Sequence, residues 1–105
     1  MKFHHLVIIL SAGLFVSATA LADDGAALAK KSGCMNCHAV DKKLVGPAFK
    51  DVAAKYKNDS EAPAKLALKV RGGGTGSFGS TPMLATPKSV SDDTIKTIVA
   101  WILTL

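Results

Sequence analysis

The sequence predicts an all-α fold, and three observations carry that reading. Four segments combine good helix formers, helical spacing of apolar residues and recognisable start or stop signals. No stretch alternates apolar and polar residues as a half-buried strand does. One connection, from Gly72 to Val90, is rich in Gly, Ser, Thr and Pro and has no periodicity of its own.

The first element to settle is where the folded domain begins. Lys2 and two histidines precede an apolar run from Leu6 to Val16, and Ala20-Leu21-Ala22 stands just before Asp23-Asp24. A charged start, a short apolar stretch and an A-x-A end make a secretory signal peptide over residues 1–22, with cleavage before Asp23. The alternative, an uncleaved anchor, meets a run shorter than the roughly 20 residues that span a bilayer. No cysteine stands at the cleavage point, so a lipid-anchored form has no attachment residue. The expected domain is 23–105, with net charge lowered from +5 to +4 by loss of Lys2. Its lysines are scattered rather than blocked, and aromatic residues do not interleave with them, which excludes a nucleic-acid tract. So short a chain has a marginal core and calls for a fixture such as a disulfide, a metal or a cofactor.

Within the domain, the first helix is expected from about Asp24 to Lys31, Ala-rich, with acids at its start and lysines at its end as the helix dipole favours. Gly33 stops it. The second covers Phe49 to Lys57, with Phe49, Val52, Ala53 and Tyr56 on one face. The third follows Asp59-Ser60 as a cap pair, tolerates Pro63 in its first turn, and runs to Arg71 before Gly72-Gly73-Gly74. The fourth is the clearest: Ser91 caps it, Asp92 and Asp93 fill its first turn, and Ile95, Ile98, Val99 and Ile102 form a stripe continued by Trp101 and Leu105. The loop from Gly72 to Val90 is too long for so small a domain. It makes sense lying against something large that is not protein.

Cys34-Met35-Asn36-Cys37-His38 supplies that something. Two cysteines three apart, with histidine next, are the attachment pattern of haem c. Each thiol adds to one porphyrin vinyl group, and the adjacent imidazole turns under the iron as the proximal ligand. A zinc site would need four ligands, yet His38 is the only histidine beyond the leader and no second cysteine pair exists. A thioredoxin-like pair expects a βαβ setting. A plain Cys34–Cys37 disulfide suits an oxidising compartment but leaves the small core and the long loop without a reason. For the sixth iron position, Met35 lies inside the attachment loop and cannot reach the opposite face. Met83, in the long loop and stiffened by Pro82, can. The competing reading for a lone loop methionine is packing. A His38/Met83 pair closes the iron to exogenous ligands and raises its potential, leaving outer-sphere electron transfer as the expected chemistry.

At this point the chain resembles a known family. Gly33-Cys34-Met35-Asn36-Cys37-His38, Val45-Gly46-Pro47-Ala48-Phe49-Lys50-Asp51-Val52-Ala53-Ala54-Lys55-Tyr56, Pro82-Met83, Val90-Ser91-Asp92-Asp93 and Ala100-Trp101-Ile102-Leu103 are similar to the small monohaem class I cytochromes c of proteobacteria. The likeness implies a class I cytochrome c fold of four to five helices wrapped around one covalently attached haem. It implies a periplasmic single-electron carrier, not an enzyme, serving partners such as a nitrite reductase, a terminal oxidase or a quinol-oxidising complex. It further implies a monomer without a stable membrane anchor. The Pro47 carbonyl is implied to accept a hydrogen bond from the His38 imidazole. The terminal helices are implied to cross with Trp101 on the packed face, and Lys69 and Arg71 to lie near a haem propionate. Lys42 and Lys43 are the candidates for a basic rim around an exposed haem edge, met by acidic patches on redox partners. The equal alternative for all four basic residues is ordinary solvated surface.

Two departures stand out. Phe78, in Gly76-Ser77-Phe78-Gly79, replaces the family's usual tryptophan and has no indole N–H to offer a propionate, a role left to Ser77 or water. Leu84-Ala85-Thr86-Pro87-Lys88 is longer than the family's Pro-Pro-Asn after the methionine, and Thr86 is the candidate to replace that asparagine as donor to the sulfur. Three rivals remain open at this level: a ligand-binding or peroxidatic haem protein, a thiol or zinc module, and an electron-entry subunit of a larger complex.

Overall fold

The structure, a computed structural model, describes residues 11–13 and 18–105. The expected leader falls mostly outside these residues. Four α-helices follow in order: α1 (Ala18–Lys31), α2 (Phe49–Lys55), α3 (Ala62–Gly72) and α4 (Asp92–Ile102), with a 3-10 turn over Cys34–Asn36 between the first two. Among the described residues there is no strand, only one antiparallel bridge between Gly74 and Met83. No helix among them is long and apolar enough to cross a membrane.

Helix α1 starts at Ala18 rather than near Asp24. The residues before Asp23 are alanine-rich, and nothing there breaks the helix, so propensity carries it back through the expected cleavage point. Helix α2 stops at Lys55, two residues early, because Lys57-Asn58-Asp59 turns: Asp59 N–H donates to the Tyr56 carbonyl at 3.1 Å. Asn and Asp favour such local turns over continued helix. The Asp59-Ser60 pair does not cap α3. Asp59 Oδ1 instead accepts from the Glu61 N–H at 2.9 Å, a turn that ends one residue before the helix begins at Ala62. At α4 the cap is where the sequence placed it, with Ser91 Oγ accepting from the Thr94 N–H at 3.1 Å.

Helix α4 is the hub, in contact with α1, α2 and α3. It buries Ile95, Ile98, Val99, Trp101 and Ile102 against Ala29, Phe49, Val52 and Leu66. Leu105 is left partly exposed, beyond the turn that ends the helix. The crossing with α1 is close: a Cβ at Gly25 would lie 2.1 Å from the Trp101 Cβ. Backbone of one helix therefore rests on the tryptophan of the other. Each buried aliphatic side chain contributes about 1.5–3 kcal/mol, so this stripe anchors the helices independently of the loops.

Candidate haem-attachment site

The attachment segment is shaped by the end of α1. After Gly33 the chain closes a 3-10 turn, in which the Cys37 and His38 N–H groups both donate to the Cys34 carbonyl, at 3.3 and 3.1 Å. This turn brings the two thiols and the imidazole into one short stretch of surface. Both thiols are free, Cys34 half-buried and Cys37 exposed. Burial pushes the Cys34 thiol above its ordinary range. An activated redox dithiol requires the opposite shift, which removes support from a thioredoxin-like reading. Among the described residues no group of three or more His, Cys, Asp and Glu side chains is placed to hold a metal.

His38 is held on two sides. Its Nδ1 stands 2.8 Å from the Pro47 carbonyl. A carbonyl only accepts, so Nδ1 carries the proton and Nε2 keeps a lone pair for a metal. Gly46 lies against the ring: a Cβ there would come within 2.4 Å of His38 Cε1. The Gly46 N–H donates to the Cys37 carbonyl at 2.7 Å, which folds the loop back beneath the imidazole. Phe49 stacks on the ring at 4.9 Å and 18°, and Trp101 meets Phe49 edge-on at 5.5 Å and 80°. The first two N–H groups of α2, Phe49 and Lys50, donate to the Ala39 and Val40 carbonyls at 2.9 and 3.0 Å. Helix-end donors otherwise left unpaired are thus used to fasten the segment after His38.

Met83 is held elsewhere, by the C-terminal end of α3. Gly74 and Met83 exchange backbone hydrogen bonds of 2.9 and 2.8 Å. Gly73 has φ 68° and ψ −158°, a conformation reserved for glycine, and a Cβ on it would sit 2.4 Å from the Met83 carbonyl oxygen. The Thr86 hydroxyl donates to the Val70 carbonyl at 2.7 Å. Its proton is committed there, so Thr86 does not replace the family's asparagine as a donor to the methionine sulfur.

The basic residues also take other work. Arg71 faces Asp92 and the carbonyls of the segment after Met83, and Lys69 Nζ is 3.4 Å from the Thr75 carbonyl. Arg71 spends its donors within the chain, whereas Lys69 makes one long contact. Lys55 was singled out by no sequence signal. It donates to the Ser77 carbonyl and sits 4.5 Å over the Phe78 ring, a cation–π contact that orders the loop where the usual tryptophan is absent.

The structure thus brings Cys34, Cys37, His38 and Pro47 together by backbone geometry, and it keeps Met83 on a separate support. The residues present fit a haem. Two free thiols share one turn with an imidazole whose Nδ1 is taken by Pro47. Of the large apolar side chains left exposed, Leu44 and Val45 lie in the loop after His38, and Phe78 and Leu84 in the loop around Met83. A flat apolar ring held by both loops would cover such side chains.

Comparison with known proteins agrees. The cytochrome c family model matches residues 22–105. Cytochrome c-551 of Pseudomonas aeruginosa is 43% identical over 103 residues, covering 98% of this chain and 97% of that protein. Cytochrome c-552 of Nitrosomonas europaea is 45% identical over 105 residues, covering 100% of this chain and 99% of that protein. The crystal structure of Nitrosomonas europaea cytochrome c552 superposes with a TM-score of 0.73 at 49% identity, covering 76% of this chain and 98% of that one. The chain therefore belongs to the cytochrome c family, in its small class I monohaem branch, and is an electron carrier with one covalently bound haem c rather than an enzyme.

Proposed function

We propose that this carrier is a soluble periplasmic protein whose haem is bound through Cys34 and Cys37, with His38 and Met83 as axial ligands and Pro47 fixing the His38 ring. The observation that carries the ligand set is the His38–Pro47 hydrogen bond of 2.8 Å. It directs Nε2 to the metal; Met83 is added from the sequence, as the one thioether of residues 23–105 outside the attachment loop. When bound, the haem supplies a one-electron ferric/ferrous couple. His38, anchored by Pro47, Gly46 and Phe49, holds its ring in one orientation and donates charge. Met83 would supply a second side-chain ligand, and a soft thioether would favour the reduced state and raise the potential. With His38 and Met83 both holding the iron, oxygen and peroxide would have no ready entry, which would favour electron transfer over ligand chemistry.

The same reading places residues 1–22 as a leader removed on export, leaving a domain of residues 23–105. It gives the carrier transient partners such as a nitrite reductase, a terminal oxidase or a quinol-oxidising complex, met as a monomer. Lys42 and Lys43, exposed in the loop after the attachment segment, would meet acidic patches on those partners, with rates that fall as salt rises.

Two measurements test this. Mass spectrometry of the exported protein is expected to give a chain beginning at Asp23 plus one haem. A colourless chain without added mass would refute the attachment residues. Redox titration with spectra is expected to show a single one-electron couple whose potential drops on Met83→Ala, together with loss of the thioether-to-iron charge-transfer band of the ferric protein. An unchanged spectrum in that variant removes Met83 from the ligand set.

A further inference from the structure

Arg71 makes the most fully used set of polar contacts among the described residues, and nothing in the proposed electron-transfer role accounts for it. Its Nε donates to Asp92 Oδ1 at 3.0 Å. One terminal nitrogen reaches the Thr86 and Pro87 carbonyls at 3.4 and 3.2 Å. The other reaches the Val90 carbonyl at 2.5 Å and the Asp92 carboxylate at 2.9 Å. A guanidinium has five N–H donors in a fixed fork, and each of these contacts takes one. Three of the acceptors are consecutive stations along the segment that follows Met83.

The neighbours of Arg71 grip the same segment. Val70 O accepts from the Thr86 N–H at 3.2 Å and from its hydroxyl at 2.7 Å. Gly74 pairs with Met83, and Gly73 packs on the Met83 and Ala85 backbone. Residues 70–74 at the end of α3 thus form a clamp over Met83–Val90. Within it, Arg71 alone reaches past Thr86, to the Pro87 and Val90 carbonyls at the far end of the lengthened segment. The Asp92 carboxylate is exposed and contributes little by itself. The bonds to backbone carbonyls are charge-assisted and fix the path of the chain.

We propose that Arg71 is a positioning residue for Met83, holding the lengthened segment so that the thioether stays on the iron. This rests on Met83 being an axial ligand. Release of Arg71 leaves three carbonyls to water and lets the segment swing. Methionine then competes less well with other ligands, although the helices remain folded. Lysine cannot substitute fully, having three donors on one nitrogen instead of a fork.

The test is titration of the oxidised holoprotein with imidazole, a small competitor for the methionine position, with amide hydrogen exchange at Met83 and Thr86 followed in parallel. Arg71→Gln is expected to bind imidazole about tenfold more tightly than the wild type, the equivalent of one hydrogen bond to a charged group. Protection of the Met83 and Thr86 amides should fall while protection in α4 is retained. Arg71→Lys should lie between, about threefold tighter than the wild type. Wild-type imidazole affinity in a folded Arg71→Gln overturns the proposal, and so does lowered thermal stability with unchanged affinity, since that assigns Arg71 to structure alone. If Arg71→Gln yields no holoprotein, Arg71→Lys decides by the same criterion. Met83→Ala separates the two readings. If it titrates like the wild type, the ligand assignment itself fails; if it binds imidazole far more tightly while the Arg71 variants do not, only the present inference falls.

Discussion

The two sides of the haem face are built by different means. The His38 side is joined to the helical core through Phe49 and Trp101, so the proposed proximal ligand rests on the same side chains that hold α1, α2 and α4 together. The Met83 side is a loop with little packing of its own. Backbone hydrogen bonds to the end of α3, one glycine in a restricted conformation and one arginine hold it. If Met83 is the ligand proposed above, the contrast predicts that it can be lost or retuned without loss of the fold. Apolar packing is cooperative and answers to global stability, whereas a loop held by polar bonds opens locally.

The sharpest way to break that contrast is to attack each side and read both. Trp101→Ala removes the aromatic at the centre of the core and should cost about 3–5 kcal/mol, lowering the melting temperature by on the order of 20 °C. Below the transition, the ferric charge-transfer band of the methionine ligand should be unchanged. Loss of that band well below the transition would show the two sides to be one unit. Gly73→Ala is the reverse experiment. It forces a residue with Cβ into the φ 68° conformation and against the Met83 carbonyl, at a cost of about 2 kcal/mol. The methionine band should weaken or shift at temperatures where the helices are fully formed by circular dichroism.

Ser91 stands where the regions meet, closing the loop and capping α4. Ser91→Ala should cost about 1 kcal/mol, measurable as a shift of the denaturant midpoint without a change in slope. The smallest effect is expected far from both sides, at Asp59. Its carboxyl is held below the usual range, first by the hydrogen bond from Lys65 and then by the Glu61 N–H. A lowered carboxyl contributes fully above the ordinary carboxylate range and loses that contribution as pH falls through its folded value. Asp59→Asn should therefore melt slightly below the wild type near neutral pH and coincide with it in acid. A difference that persists in acid would assign the effect to the turn before α3 rather than to the ion pair.

The parts legible in the sequence are those written in local chemistry. The α4 stripe, its Ser91 cap and Trp101 in the core follow from spacing and residue type, because an amphipathic helix states its buried face in one continuous segment. The attachment motif is equally local. Three features escaped for the same physical reason, that they join residues distant in the chain. The five contacts of Arg71 span 15 to 21 residues of separation, and nothing about an arginine near a helix end distinguishes a clamp from a solvated cation. Thr86 looked free to serve the methionine sulfur, and only the proximity of the Val70 carbonyl removes it. Lys55 gave no signal, since its partner Phe78 lies 23 positions on. A lengthened loop followed by a helix cap, with an arginine at the end of the preceding helix, is the pattern that would have hinted at the clamp.

The aromatic row from His38 through Phe49 to Trp101 has one more consequence. The chain contains a single tryptophan, and its indole stands one phenyl ring away from the imidazole assigned to the iron. Haem absorbs where indole emits, so energy transfer across so short a path quenches Trp101 in the folded holoprotein. Its light returns when unfolding carries α4 far from the attachment loop. The protein thus carries a built-in optical gauge of global unfolding, blind to small motions of the Met83 loop.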